Sequence, residues 1–334
     1  MEVTLEDIKA AKERIKDHVV CTPCLISDYL SHMTNSQLYI KMDNLQRCKA
    51  FKFRGALSKI STLPKGSTVV CASAGNHSQG CSLSSKLCGM KCIVYMPETA
   101  PKSKVMATKH YGAEVKQIGP SFDVANEQCQ KDCKEHPDWT FVPPFDCNEV
   151  IAGQGTISLE LVEQVKDIDY VVVAVGGGGL AAGVGVGMKT MSPNTKIIAV
   201  NAAIRPATYI KYKKEKGQEY DKSVEEAQKS PDKPLADGIA VINPGKVTFP
   251  YVLKYVDDFV VVTEDEISKA IALLAERCKI IVEGAGASTV AAVLFKKFNF
   301  APNSKIICVT SGGNIEMSRL AECYEKSKEY LNTV

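Results

Sequence analysis

Four consecutive glycines, Gly176 to Gly179, follow directly after the apolar run Tyr170 to Val175. A buried strand that opens into glycines exposes several backbone N–H groups with no side chain in the way. The next residues, Leu180 to Ala182, favour a helix whose positive end adds to the same spot. The pattern predicts a strand, a turn and a helix with a phosphate site at the turn. The alternative is a tight turn that only lets the helix pack closely on its strand.

Three phosphate ligands fit such a loop to different degrees. The spacing Gly176-x-Gly178-x-x-Ala181 satisfies a dinucleotide fingerprint, but Asn201, rather than an acidic residue, occupies the end of the next predicted strand. A nucleoside triphosphate is disfavoured because no Gly-Lys-Ser/Thr follows the glycines. Pyridoxal phosphate needs a reactive lysine, a group facing its pyridine nitrogen and a loop over its reacting face.

The chain has a candidate for each of these three requirements. Lys52 stands between two phenylalanines, where desolvation would lower the pKa of its amine and make it reactive; the alternative is an ordinary surface lysine. The small-residue segment 73–80 follows a predicted strand and opens a predicted helix, so its backbone N–H groups suit a carboxylate. The segment 311–314, Ser-Gly-Gly-Asn, follows another apolar strand.

These segments, in this order, resemble the fold-type II pyridoxal-phosphate enzymes. The chain is most similar to the serine/threonine dehydratases (threonine ammonia-lyases) of the short catabolic type, which are related to serine racemases. The resemblance runs from about Leu25 to Asn314 and includes the segments 150–156 and 262–267. It implies an α/β fold of two domains, similar to the tryptophan synthase β-subunit, with twisted, mostly parallel sheets flanked by helices.

The resemblance also implies roles for individual residues. Lys52 would attach to the cofactor and then remove the substrate Cα proton, whereas Arg54 would be structural. The implied cofactor contacts are Lys52, Phe51, Asn76, Gly176, Gly177, Gly178, Gly179, Gly238, Glu283 and Ser311, and the implied substrate contacts are Ser73, Ala74, Gly75, Asn76 and His77. Glu283 has the alternative of being a salt-bridged structural acid. His77 is expected to be a packed helix residue rather than an acid or base.

Elimination is favoured over racemisation at one position. In mammalian-type serine racemases the residue that matches Ala74 is a serine, which lies on the face opposite the lysine and returns the proton there. Here the methyl group of Ala74 can neither donate nor accept a proton. The segment 144–146, Pro-Phe-Asp, also resembles dehydratases. The expected reaction is β-elimination of L-threonine or L-serine to 2-oxobutanoate or pyruvate plus ammonia. Serine racemase with side dehydratase activity is the first alternative, a β-replacement enzyme using sulfur is another, and a non-catalytic cofactor-binding or ligand-binding module is a distant one.

The sequence departs from the family pattern in three places. Ala50 replaces a serine before Phe-Lys, and Asp43 replaces a frequent glutamate. The acidic metal ligands of the racemases align near Asn201 and Ala207, neither of which is a carboxylate. No metal is therefore expected there.

Strand and helix patterns alternate along the chain, as parallel α/β proteins require. The expected strands are 69–73, 91–96, 114–118, 169–175, 196–201, 258–262 and 305–310, and the expected helices include 5–19, 76–88, 102–111, 121–135 and 149–165. These elements suggest a small domain at 66–146 and a large cofactor-binding domain at 1–65 and 147–334. The polar segment 205–233 is expected to be a solvated excursion from the large domain.

Composition limits the remaining classes of function. The net charge of +3 and the scattered lysines give no nucleic-acid footprint, and no apolar run is long enough for a membrane span. Most of the 13 cysteines stand in apolar settings and are interpreted as core residues, and a redox or zinc role for Cys21-x-x-Cys24 is not expected. A cytoplasmic homodimer is expected. The chain ends soon after Ser311, so a C-terminal amino-acid-sensing domain is not expected.

Overall fold

The computed structural model describes residues 2–334 and contains two β-sheets flanked by helices. The strands are β1 Cys24–Ile26, β2 Gln37–Lys41, β3 Thr68–Ala72, β4 Lys91–Met96, β5 Glu114–Gln117, β6 Trp139–Phe141, β7 Tyr170–Ala174, β8 Lys196–Ala202, β9 Asp258–Val262 and β10 Lys305–Val309. The helices are α1 Leu5–Ile15, α2 Asp28–Thr34, α3 Lys52–Ile60, α4 Asn76–Leu87, α5 Lys102–His110, α6 Phe122–Glu135, α7 Asn148–Gln164, α8 Gly179–Met191, α9 Ala207–Glu215, α10 Ser223–Ala227, α11 Thr248–Tyr255, α12 Glu264–Glu276, α13 Gly284–Leu294 and α14 Met317–Thr333.

The larger sheet has six strands in the order β1-β2-β10-β7-β8-β9. Only β1 runs antiparallel to its neighbour; the other pairings are parallel. The smaller sheet has the order β5-β4-β3-β6 and is parallel throughout. Its strands all come from residues 68–141, so the chain leaves the larger sheet, builds the smaller one and returns.

The larger sheet is covered on both faces, as parallel sheets require. Strand β7 shows this by alternation: Val171 and Val173 pack into the core on one face, whereas Val172 packs into the core on the other. A sheet buried on both sides explains the continuous apolar runs. The carboxyl ends of its parallel strands are then the edge at which the loops can form a site.

The seven strands expected from the sequence are confirmed to within two residues. The expected helices are confirmed, although α1 ends at Ile15 and not at residue 19, because residues 16–19 form a turn in which Val19 N donates to Ile15 O (3.0 Å). Strands β1, β2 and β6 were not predicted from the sequence. Two of them have only three residues, which is too short for a pattern of alternation.

The expectation of a solvated excursion at 205–233 is wrong for its first half. Tyr209 and Tyr212 lie on one face of α9, three positions apart, and both are buried against Phe259 in edge-to-face contacts. The many lysines around these two tyrosines made the segment look polar in the sequence, so the apolar face was not recognised. Among residues 2–334, no helix combines the length and apolar character that a membrane crossing needs.

Candidate active site

A cavity of about 870 Å³ lies between the two sheets, where β3, β7 and β10 end. All of the residues that the sequence analysis assigned to cofactor or substrate line it: Phe51, Lys52, Ser73, Ala74, Gly75, Asn76, His77, Gly176, Gly177, Gly178, Gly179, Gly238, Glu283 and Ser311. These residues come from six separate stretches of the chain. The fold therefore brings together in one place what the sequence could only propose as a set.

Lys52 is the first residue of α3, and its side chain points into the cavity. Its Nζ donates a hydrogen bond to Pro144 O (2.7 Å) and lies 5.2 Å from the ring of Phe51 and 5.8 Å from that of Phe145. Desolvation inside this partly aromatic wall lowers the pKa of Lys52 to about 8. The amine therefore has a substantial uncharged, nucleophilic fraction near neutral pH.

The glycine loop occupies the end of β7 and the start of α8. A Cβ atom at Gly177 would lie 2.4 Å from ring carbons of Phe145, and one at Gly176 would lie 2.9 Å from Ile239 Cα. Gly178 has φ +94°, a conformation that favours glycine. Side chains are thus excluded from this cradle, and the first N–H groups of α8, which have no partner within the helix, are available to an anion.

Two threonine hydroxyls hold the loop from outside. Thr208 Oγ1 donates to Gly176 O (2.6 Å), and Thr248 Oγ1 donates to Gly177 O (2.5 Å). Asp146 supports the second of these, because it accepts from the backbone N–H groups of Val247 (2.7 Å) and Thr248 (3.0 Å) at the start of α11. The Pro-Phe-Asp segment therefore packs on the loop through its phenylalanine and anchors a neighbour of the loop through its aspartate.

Asn76 opens α4 and is held by two partners distant in sequence. Its Nδ2 donates to Glu283 Oε1 (2.6 Å), and its Oδ1 accepts from Asn314 Nδ2 (2.8 Å). Asn314 is itself fixed by donating to Cys48 O (2.9 Å). The amide of Asn76 thus has a defined orientation beside the cavity. Asn314 had no separate role in the sequence analysis, although it belongs to the Ser-Gly-Gly-Asn segment.

His77 and Ser311 are both buried residues of the cavity wall. His77 is buried, its Nε2 lies 2.8 Å from Val142 O, and burial with the nearby Lys52 charge lowers its pKa to about 3. It is a packed, neutral, hydrogen-bonded helix residue, as expected. Ser311 follows β10 and is buried, and its carbonyl accepts from Phe51 N (2.9 Å), which links the lysine segment to the end of the strand.

Burial dominates the chemistry of Glu283. It raises the pKa of this carboxyl to about 7, Asp237 contributing in the same direction. The carboxyl is not the salt-bridged acid of the alternative interpretation, because it accepts a hydrogen bond from the Asn76 amide and forms no ion pair with a cation among residues 2–334.

We expect Glu283→Gln to abolish a pH dependence of stability. A folded-state pKa of about 7 lies above the ordinary 4.5, so the folded protein holds this proton more tightly than the unfolded chain does. The free energy of unfolding therefore falls as pH rises from about 4.5 to about 7, by up to about 3 kcal/mol. Gln keeps the acceptor for Asn76 and carries no charge. Chemical unfolding of the cofactor-free protein at pH 5 and pH 8 should show that the substitution stabilises the protein much more at pH 8 than at pH 5.

The matched control is Glu98→Gln, which removes an exposed acid outside the cavity. It should keep the wild-type difference between the two pH values. An unchanged difference in Glu283→Gln would contradict the raised pKa of this carboxyl.

The cavity fits pyridoxal phosphate by its donors and shape. It offers a lysine of lowered pKa, a side-chain-free cradle at a helix N-terminus, an oriented amide and a buried serine. A neutral hydroxyl at Ser311, rather than a carboxylate, suits an unprotonated pyridine nitrogen. Residues 15–312 match the family profile described as pyridoxal-phosphate dependent enzyme, which covers most of the chain. The chain belongs to this family of enzymes, and pyridoxal phosphate is its cofactor.

The similarity to particular relatives extends over the whole chain. The chain is 42% identical to the L-threonine ammonia-lyase of Thermotoga maritima over 97% of its own length and 79% of the relative. It is 39% identical to the catabolic L-threonine dehydratase TdcB of Escherichia coli K12 over 96% of each.

Solved structures share the fold. Threonine deaminase isoform 2 of Solanum lycopersicum superposes with a TM-score of 0.87 at 33% identity, over 97% of this chain and 87% of that one. Serine racemase of Dictyostelium discoideum superposes with a TM-score of 0.83 at 37% identity, over 94% and 99%. The predicted α/β fold, with mostly parallel sheets flanked by helices, is confirmed.

Proposed function

We propose that this enzyme carries out β-elimination on L-threonine and L-serine, releasing 2-oxobutanoate or pyruvate and ammonia. Two relatives that are 42% and 39% identical to this chain are named for this reaction on threonine. The observation that carries the proposal is Lys52: its buried amine belongs to the cavity wall beside the glycine loop, and its pKa of about 8 suits proton transfer near neutral pH.

Each wall of the cavity has a proposed task in binding. The N–H groups of the Gly176–Gly179 loop would hold the cofactor phosphate, Asn76 would bond the phenolic oxygen of the cofactor, and Ser311 would face its pyridine nitrogen. Phe51, Gly238 and Glu283 would line the ring. The start of α4 and the loop 73–75 before it would hold the substrate carboxylate, because helix N-termini favour anions.

The proton chemistry would belong to Lys52. When bound, the cofactor supplies an electron sink that stabilises negative charge at the substrate Cα. Lys52 Nζ would remove the Cα proton, and the aromatic wall of Phe51 and Phe145 would exclude water from the amine. The hydroxyl on the substrate β-carbon then departs with its bonding electrons, takes up a proton and leaves as water. Hydrolysis of the released unsaturated amino acid in solution takes up one water and gives the oxo acid and ammonia.

Racemisation is the second candidate, because a serine racemase shares the fold at 37% identity. It needs a proton donor on the face opposite Lys52. At position 74 this chain offers a methyl group in the cavity wall, which neither donates nor accepts a proton. Elimination needs no second donor on that face, so the residue at 74 favours it.

Separating the products tests the proposal. Purified enzyme with pyridoxal phosphate is incubated with L-threonine and, separately, with L-serine, and oxo acids and serine enantiomers are separated by chromatography. We expect oxo acid from both amino acids and little D-serine. D-serine as the dominant product would assign racemisation, and no product from either amino acid would support a non-catalytic binding role.

We further propose the organisation of the chain around this site. Residues 66–146 would form the small domain and residues 1–65 and 147–334 the large one, since the four strands of the smaller sheet fall within the first range. A homodimer is proposed because symmetric dimers are common among such enzymes. A cytoplasmic location is proposed because its reducing conditions would keep the 13 free cysteines as thiols.

A further inference from the structure

The diproline segment, residues 142–145 (Val-Pro-Pro-Phe), connects β6 of the smaller sheet to α7 and passes along the cavity wall. Its Pro144 carbonyl accepts a hydrogen bond from Lys52 Nζ (2.7 Å). Its Phe145 ring lies 5.8 Å from the same nitrogen and packs against Gly177 of the glycine loop. This segment therefore determines much of the surroundings of the lysine amine.

His77 holds the diproline segment from the smaller sheet. It lies in the first turn of α4, is buried, and has its Nε2 2.8 Å from Val142 O. A carbonyl oxygen can only accept, so Nε2 carries the hydrogen and donates it to this oxygen. Cys81 Sγ lies 3.4 Å from the same nitrogen and packs beside the ring. The imidazole is thus held in one orientation, with its N–H directed at the segment.

The two prolines make the connection from Val142 to Pro144 stiff. A proline ring fixes its own φ near about −65° and confines the residue before it to extended conformations. The φ angles of Pro143 and Pro144 are therefore fixed, and the ψ angles of Val142 and Pro143 are confined because each residue precedes a proline. Little torsional freedom remains between the carbonyl that His77 holds and the carbonyl that accepts from Lys52. Fixing the first carbonyl consequently fixes the second.

We propose that His77 is a positioning residue for Lys52, acting through Val142 and the two prolines. This role rests on the function proposed for Lys52, namely attachment to the cofactor and removal of the substrate Cα proton. An uncharged amine that donates one N–H to Pro144 O keeps its lone pair on another side of the nitrogen, free to attack a carbon or to take a proton. His77 itself transfers no proton.

The same histidine joins the lysine to the substrate end of the cavity. The loop 73–75 leads directly into α4, and Ser78 Oγ in the first turn donates to Gly75 O (2.6 Å), so the loop and the turn form one unit. The bond from His77 therefore sets the position of Pro144 O relative to the groups proposed for the substrate carboxylate. This matters for the rate, because a misplacement of about 1 Å can cost about 100-fold.

Covalent attachment of pyridoxal phosphate to the full-length, cofactor-free protein tests this role without any amino-acid substrate. The Lys52 amine condenses with the cofactor aldehyde, which forms a C=N bond and releases one water, and borohydride fixes the product for mass spectrometry. We expect an attachment rate at least about tenfold lower in His77→Leu, which has no donor for Val142 O. His77→Gln, whose amide N–H can reach the same oxygen, should restore the rate to within about threefold of wild type.

Binding of pyridoxine 5′-phosphate, which lacks the aldehyde, separates positioning from general damage to the site. Its dissociation constant should stay within about threefold of wild type in His77→Leu, because this analogue would use the glycine loop and Asn76 and forms no bond to the lysine. A loss of analogue binding as large as the loss of attachment rate would show a merely structural role for His77 and would overturn the proposal.

Because a buried histidine variant can fail to fold, Pro143→Gly gives a second test. Pro143 is only partly buried, and glycine frees the φ angle at this position while His77 keeps its bond to Val142. Attachment should again be slower, whereas Pro137→Gly, at an exposed proline before β6, should match wild type. A wild-type rate in His77→Leu or in Pro143→Gly would contradict the proposed role. If wild-type Lys52 itself did not attach, both this role and the function proposed for the lysine would be wrong.

Discussion

Lys52→Ala should abolish oxo-acid release from both L-threonine and L-serine. The variant loses the amine that would attach to the cofactor and remove the Cα proton, and we expect a fall in kcat of about 10⁴-fold or more. Lys52 Nζ donates to Pro144 O, and Asn76 is oriented by Glu283, so the proposed phosphate cradle and Asn76 do not depend on the lysine and the variant should still bind pyridoxal phosphate. Steady-state assays of keto-acid formation measure the first effect, and the visible absorption of the dialysed protein measures the second.

Two further variants test whether the positive charge alone, or any lysine on this helix, accounts for the effect of Lys52→Ala. Lys52→Arg keeps a positive charge but cannot attach to the cofactor, so it should be as inactive as the alanine variant. Lys59→Ala, on the same helix, removes a lysine that pairs with Glu149 outside the cavity, and it should keep activity near that of wild type. Borohydride should fix the cofactor covalently to wild type and to Lys59→Ala only. Full activity in Lys52→Ala would remove this residue from the mechanism.

The glycine loop was predictable because the residues that determine its structure are contiguous in the sequence. An apolar strand, four glycines and a helix are contiguous in the sequence, and the structure has β7, the loop and α8 in those places. The same holds for Lys52 between its phenylalanines and for the loop at 73–75. Each of these segments carries its own conformational signal, so their order along the chain was enough to suggest one site.

The contacts that shape the site were not predictable, because they join residues far apart in the chain. Asn76 and Glu283 are separated by 207 positions, and no local pattern connects them. Phe145 explains why Gly177 must be glycine, yet only the packing of the two segments shows it.

Arg54 illustrates the limit most clearly. From the sequence this arginine was expected to be structural, but its partners could not be named. Its Nε and Nη2 donate to the two carboxylate oxygens of Asp43 (both 2.8 Å), and its Nη1 and Nη2 donate to those of Glu160 (2.5 and 3.0 Å). Lys41 also donates to Glu160, so two cations and two anions form one buried network. Asp43, noted as a departure from the family, is thus the partner that Arg54 needs.

Arg54→Met should therefore destabilise the fold by about 3–5 kcal/mol, because it leaves two carboxylates short of their partner in a site from which water is excluded. The methionine replaces the length of the side chain but none of its five donors. Arg54 does not belong to the cavity wall, so the expected effect is on folding and not on substrate binding. Chemical unfolding at neutral pH, followed by circular dichroism, measures it.

A surface pair and a second-site change make this prediction specific. Lys269→Ala, which removes the partner of Asp265 on the exposed side of α12, should cost no more than about 0.5 kcal/mol. Adding Asp43→Asn to Arg54→Met removes one of the unpaired charges. The double variant should therefore lose less unfolding free energy than the two single variants lose in sum. If Arg54→Met cost no more than the surface variant, the buried network would contribute little, and the segment that carries Lys52 would be held by apolar packing alone.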